Sequence, residues 1–193
     1  MRLFSKVVPI LFLVPLASAA TLTVEVRDAR GTPISDAVVY AVPESPAPLA
    51  KKTAVMDQKN RMFVPHILPI QAGTTVQFPN SDDVRHQVYS FSPAKTFQLP
   101  LYGGTPANPV VFDKPGVVTL GCNIHDRMTA YIVVVPTPYF ASTVRGGHTT
   151  LGNLTGGKYT VHVWHPDSSS DDSAAVPVTL ASTDHKDLVV VAR

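Results

Sequence analysis

The chain has 193 residues, with 16 basic and 14 acidic side chains, seven histidines and a formal net charge of +2. Two of the basic residues, Arg2 and Lys6, fall in an N-terminal segment that reads as removable, so the remainder is near neutral and carries no electrostatic footprint for nucleic acid. A single cysteine excludes an internal disulfide, and the length suits one large β domain or two small ones, each with its own core.

Met1-Arg-Leu-Phe-Ser-Lys6 places positive charge ahead of the apolar run Val7–Leu16, and Ala17-Ser18-Ala19 supplies a small-residue cleavage site. Residues 1–19 therefore read as a secretory signal, and the mature chain is expected to be periplasmic or secreted. A retained anchor is the competing reading, but the run is short for a span of about 20 residues and holds two prolines. No later stretch reaches transmembrane length, so no integral membrane segment is expected in the mature chain.

Eighteen prolines, eleven glycines and repeated β-branched clusters argue for short strands separated by turns. Thr21–Val26 alternates with period two, Asp28–Pro33 turns, and Asp36–Val42 extends again. Pro43-Glu-Ser-Pro-Ala-Pro48 reads as an extended, unpaired connector. From about Ala54, six further strands are expected: 63–70, 73–78, 86–91, 109–112, 116–120 and 130–135. Their spacing suits an antiparallel sandwich or barrel. Beyond Pro136-Thr-Pro138, strands are expected within 147–154, 158–164, 175–180 and 187–191, with Ser168–Ser173 as a solvated loop.

Gly121-Cys-Asn-Ile-His-Asp-Arg-Met128 holds the only cysteine, a histidine three residues on and a methionine three beyond that. Copper that cycles between two oxidation states needs a thiolate to donate charge, imidazoles that suit both states and a weak axial thioether. Cys122, His125 and Met128 supply three such ligands from one turn between two strands. The fourth should be a histidine distant in sequence, and His86 fits, since 76–86 runs off a strand into a turn and 86–91 re-enters one.

These residues resemble the cupredoxins, the blue-copper electron-transfer proteins. The resemblance is carried by Phe63-x-Pro-x-x-Leu-x-Ile70, Gly73-x-x-Val76-x-Phe78-x-Asn80, His86-x-Val88 and Cys122-x-x-His125-x-x-Met128, in that order. It covers roughly residues 54 to 136, and the short ligand loop is most similar to that of the amicyanins. The resemblance implies a Greek-key β-sandwich holding one type-1 copper ion, with His86, Cys122 and His125 as equatorial ligands and Met128 axial. It also implies redox-protein partners such as a c-type cytochrome or a dehydrogenase. Gly121, Asn123 and Ile124 depart from the usual residues around such ligands, as does Gln87 after the first histidine. These departures bear on potential and colour, because hydrogen bonding around the sulfur sets both. Gly121 suits either close backbone approach or a positive φ; Asn123 suits either a donor toward the site or a self-satisfied turn.

The flanks resemble a second fold. Val24-x-Val26-x-Asp28-x-x-Gly31-x-Pro33 and Leu151-x-x-Leu154-x-x-Gly157-x-Tyr159-x-Val161-x-Val163 are similar to the opening and later portions of the carboxypeptidase regulatory-like β-sandwich. The expected organisation is a signal at 1–19, a small Ig-like sandwich made from 20–46 and 137–193, and a cupredoxin-like domain at 47–136 inserted between them. The alternative is a single extended sandwich decorated at both ends.

His66 reads as structural, and His162 and His165, although spaced as His-x-x-His, lack a third ligand nearby for a second metal. Asp82 and Asp83 read as solvent-facing turn residues. With no nucleophile elbow, phosphate loop or zinc-protease helix, no enzymatic activity is expected. The leading expectation is one-electron transfer with His125 as the exit and residues such as Tyr102 or Phe91 in an apolar rim around it. A copper carrier or storage module is the rival, and a metal-free β-sandwich binding module the third reading.

Overall fold

The computed structural model describes residues 19–106, 108–125, 127–167 and 175–192. The signal segment, up to residue 18, and the Ser168–Ser173 loop lie outside the described residues. In chain order the strands are β1 (Ala20–Arg27), β2 (Val38–Pro43), β3 (Thr53–Val55), β4 (Asp57–Lys59), β5 (Met62–Val64), β6 (Ile67–Gln71), β7 (Thr74–Gln77), β8 (His86–Ser92) and β9 (Lys95–Tyr102). They continue as β10 (Val110–Phe112), β11 (Gly116–Gly121), β12 (Thr129–Val135), β13 (Phe140–Ser142), β14 (His148–Leu154), β15 (Gly157–Trp164), β16 (Ala175–Leu180) and β17 (His185–Val191). The protein is all-β, with no helix among the described residues and hence none long and apolar enough to cross a membrane.

Two pairs of sheets enclose two cores. In the central part of the chain, the sheet β6-β12-β11-β8-β9 faces the sheet β10-β7-β3. Phe78, Phe112, Leu120 and Ile132 fill the space between them, together with Cys122 and Met128. In the flanks, the sheet β14-β1-β17 faces β13-β2-β15-β16. Here the strict alternation of β1 turns Ala20, Leu22, Val24 and Val26 inward against Val39, Val161 and Val163. Strands from both sides of the central block share these sheets: β1 pairs with β14 and β17, and β2 with β13 and β15.

Strand β12 explains why Ile132-Val-Val-Val135 is apolar at every position instead of alternating. Ile132 and Val134 enter the central core, while Val133 and Val135 point the other way and pack with Val38 and Trp164 of the flanking strands. A strand covered on both faces has no solvent side to mark with polar residues.

Three sheets are mixed, through the parallel pairs β1–β17, β12–β6 and β3–β7, whereas the central strands were expected to form an antiparallel sandwich or barrel; the sheet β13-β2-β15-β16 is antiparallel throughout. Hydrophobic alternation reports which face is buried and carries no information about strand direction. The expected strand 63–70 is divided into β5 and β6 at Pro65-His66, and β9 was not anticipated, because Pro100 and its mostly exposed residues mask it. Pro69, Pro100 and Pro177 all lie within strands, and each of those strands (β6, β9 and β16) is at the edge of its sheet, where a missing donor costs least.

Ile132 is fully buried at the centre of the sheet that carries the cysteine turn. Ile132→Ala is expected to lower the unfolding free energy by about 2–5 kcal/mol, measured by urea titration.

Candidate metal centre

His86 opens β8, whose alternation sends His86, Val88 and Ser90 inward and Gln87, Tyr89 and Phe91 outward. Strand β11 ends at Gly121, which is paired with Tyr89 across the ladder. Continuing that antiparallel register sets Cys122 opposite Val88 and Asn123 opposite Gln87, so Cys122 points inward on the diagonal from His86. The outward pair is hydrogen bonded, with Asn123 Nδ2 donating to Gln87 Oε1 at 2.8 Å. The inward pair brings Cys122 Sγ to 3.9 Å from His86 Nδ1.

The turn between β11 and β12 contributes the remaining groups. Met128 N donates to His125 O at 2.9 Å, closing the turn and folding the His125 ring back to a centroid distance of 5.1 Å from His86. One donor atom each from His86, Cys122 and His125 lies within 4.8 Å of the others, and this is the one such cluster among the described residues. Around a trigonal metal with bonds of about 2.0–2.3 Å, neighbouring donors sit roughly 3.5–3.7 Å apart, so a small inward adjustment closes the set. His86 is 0%, Cys122 4% and Met128 2% exposed, and Met128 packs in the same core cluster as Cys122. His125 is half-buried.

Two observations on these residues test whether a metal fits. His125 Nδ1 is buried and has no hydrogen-bond partner; leaving such an atom unpaired costs about 1–3 kcal/mol, which a coordinated cation would offset. His86 Nε2 is engaged by Asp82 Oδ2 at 2.7 Å, which directs the opposite ring nitrogen toward the sulfur. Gln58 Oε1 and Gln71 Oε1 are also buried without partners, but neither belongs to the donor cluster. The donor chemistry of one thiolate and two imidazoles suits copper or zinc, and a buried thioether beside them favours a soft ion.

Asp82 corrects the sequence reading. It was grouped with Asp83 as a solvent-facing turn residue, yet its side chain is 9% exposed and bonded to His86, while Asp83 is exposed. Burial by itself raises the Asp82 carboxyl. The N–H of Arg61, the His86 ring and the N–H of Asn60 outweigh that effect and hold it below the ordinary carboxylate range. The signal available in the sequence was only the i, i+4 spacing from Asp82 to His86. The hairpin that completes the contact is some twenty residues upstream.

Gly121 does not need a positive φ; it needs room. A Cβ there would lie 2.6 Å from Tyr89 Cζ, because the Tyr89 ring covers the residue that precedes the cysteine. Asn123, for which two roles were open, ties the ligand turn to the residue after His86. Tyr102, expected at an apolar rim, instead turns its hydroxyl inward. It donates to Phe78 O at 2.7 Å and accepts from Gln58 Nε2. Phe91 is 77% exposed but lies five residues along β8 from His86, roughly 16 Å at the usual strand rise. The exposed apolar side chain next to His125 is Ile124, at 51%. His66 is exposed and meets Tyr131 edge-on; His162 stacks on Tyr40, and His165 faces Asp167. None of the three joins the donor cluster. Asp126 lies outside the described residues.

No protein-family model matches the chain, and no curated protein matches it. Among solved structures, a copper-containing nitrite reductase (NirK) from Thermus scotoductus SA-01 is 28% identical over 46% of this chain, with a TM-score of 0.40. That match spans 23% of the reductase's own length. A purple cupredoxin from Nitrosopumilus maritimus is 24% identical over 42% of this chain and 99% of its own, with a TM-score of 0.38. A reduced amicyanin mutant is 20% identical over 50% of this chain and 99% of its own, with a TM-score of 0.39. At such TM-scores the chemistry rests on the site's own geometry.

Burial pushes the Tyr102 hydroxyl up to about 12. The neutral form is thus favoured by folding: its stabilisation is complete below the ordinary phenol value of about 10 and is lost as pH rises through the folded value. Tyr102→Phe leaves the Phe78 carbonyl without its donor. It is expected to cost about 1–3 kcal/mol at pH 8 and to remove this share of the alkaline loss, as compared by urea titrations at pH 8 and pH 11.

Proposed function

We propose that this chain is an exported copper protein that carries single electrons between redox partners. The observation that carries the reading is the convergence of His86 Nδ1, Cys122 Sγ and His125 on one buried point, with the Nδ1 of His125 otherwise unpartnered. His86, Cys122 and His125 would hold the ion, with the buried Met128 thioether as a weaker fourth donor. When bound, copper supplies a one-electron couple between its two oxidation states.

The chain's own residues make that couple easy to cycle. His86 opens β8 and Cys122 directly follows β11, which pairs with β8 at Gly121, so their spacing is set by the sheet rather than by the ion, which limits rearrangement between oxidation states. His86, Cys122 and Met128 exclude water almost completely, which disfavours release of the ion and speaks against the carrier reading. His125 reaches the surface beside the exposed Ile124, and that edge is the proposed contact for a partner such as a c-type cytochrome or a dehydrogenase. The third reading, a metal-free binding module, would be favoured only if Cys122 and His86 lay far apart, and their side-chain atoms lie 3.9 Å from each other. For the flanks, the shared sheets of β1 and β2 with β13 to β17 support one sandwich made from 20–46 and 137–193, interrupted by 47–136.

Adding Cu(II) to the purified protein is expected to produce an intense visible thiolate-to-copper band at one ion per chain, absent in Cys122→Ser. No band in the wild type would sink the proposal. Reversible voltammetry is expected for the loaded protein; irreversible loss of the ion on reduction would favour delivery over electron transfer. Met128→Leu is expected to keep the band but shift the potential, because the thioether is the weak ligand and the thiolate the chromophore.

A further inference from the structure

We infer that Asp82 is a positioning residue of this centre: its carboxylate fixes the His86 tautomer that leaves Nδ1 bare and places a fixed negative charge behind the ring, biasing bound copper toward its oxidised form. The inference rests on the copper reading above and concerns a residue which that reading did not require.

The first half follows from donor and acceptor capacity. An ionised carboxylate only accepts, so the 2.7 Å contact between Asp82 Oδ2 and His86 Nε2 makes Nε2 the protonated nitrogen. In the neutral ring, Nδ1, which faces Cys122 Sγ, then carries the lone pair. A ligand ring whose far nitrogen is held by a carboxylate is fixed in orientation and is a stronger base.

The second half follows from how the carboxylate itself is held. The turn between β4 and β5 has two non-glycine residues in the left-handed region, Asn60 at φ 55° and Arg61 at φ 58°, as a two-residue hairpin with both central φ angles positive requires. Their N–H groups both donate to Asp82, Asn60 to Oδ1 and Arg61 to Oδ2 at 2.8 Å, while Asp82 N donates to Asn80 Oδ1 at 3.0 Å. Uncommon backbone conformations persist where surrounding contacts over-determine them. Here, two peptide N–H groups and the His86 ring fix the carboxylate, while the Asn80 amide oxygen anchors the Asp82 backbone. The extra positive charge of oxidised copper would be stabilised by this carboxylate through the imidazole.

The test uses the full chain with Asp82→Asn, Asp82→Glu and Asp83→Asn, the last removing the same charge from the exposed neighbour. In the metal-free wild type, proton–nitrogen correlation spectra are expected to show His86 protonated at Nε2; an Nδ1-protonated ring or a rapidly exchanging mixture overturns the orienting role. With copper bound, Asp82→Asn is expected to raise the potential by roughly a tenfold change in the reduced-to-oxidised ratio, which is about 59 mV for a one-electron couple. Asp82→Glu and Asp83→Asn are expected to stay within a few-fold of wild type. An unchanged potential in Asp82→Asn, or an equal shift in Asp83→Asn or Asp82→Glu, overturns the charge argument. Should Asp82→Asn fail to fold, the wild-type spectra and the Asp82→Glu potential still decide. If the wild type binds no copper, the copper reading falls, while the metal-free spectra still judge the orienting role.

Discussion

The arrangement depends on one register, that of β8 against β11. With Gly121 opposite Tyr89, even-numbered residues on both strands point inward and odd-numbered ones outward. His86 and Cys122 then meet inside, Asn123 meets Gln87 outside, and Tyr89 lies over the one residue that has no side chain to obstruct it. A slip of a single residue would turn His86 to solvent and set Tyr89 against a bulkier neighbour, so the sheet specifies the site and the site's outer contacts in turn specify the sheet.

The polar groups near the donors are satisfied by backbone and not left to water. Asp82 is held by the β4–β5 turn, Asn80 Nδ2 donates to the carbonyls of Val84 and Tyr102, and the Tyr102 hydroxyl reaches the Phe78 carbonyl. These contacts join segments from 57 to 102 around His86, so the histidine's position is shared by several loops. Of the three buried side-chain atoms without a partner among the described residues, Gln58 Oε1, Gln71 Oε1 and His125 Nδ1, only the last belongs to a residue of the donor cluster.

The flanking sheets are more than an attachment. Val133 and Val135 on the outer face of β12 pack with Val38 and Trp164, and Tyr131 meets Trp164 at a centroid distance of 5.2 Å. The strand that follows the ligand turn is thus clamped from both sides. A loop anchored by a doubly covered strand moves little, which keeps the side chains of the cysteine turn in place.

Much of this was legible in the residues themselves. Alternation and turn chemistry located most strands, and the sequence pattern singled out His86, Cys122 and His125, which the structure brings together, with Met128 as a further candidate donor. Several features escaped, among them the parallel pairings, the short strands β3, β4 and β13, edge strand β9, the inward turns of Asp82 and Tyr102 and the ring over Gly121. Most depend on a partner distant along the chain, such as Asn60 for Asp82 or Tyr89 for Gly121. The sequence by itself determined which residue types are available and which face of each strand is buried, because both follow from local chemistry and period. Only the tertiary structure decided which carboxylate of the Asp82-Asp83 pair meets His86 and which distant strands lie side by side, because register and direction are set by contacts between segments that carry no mark of one another.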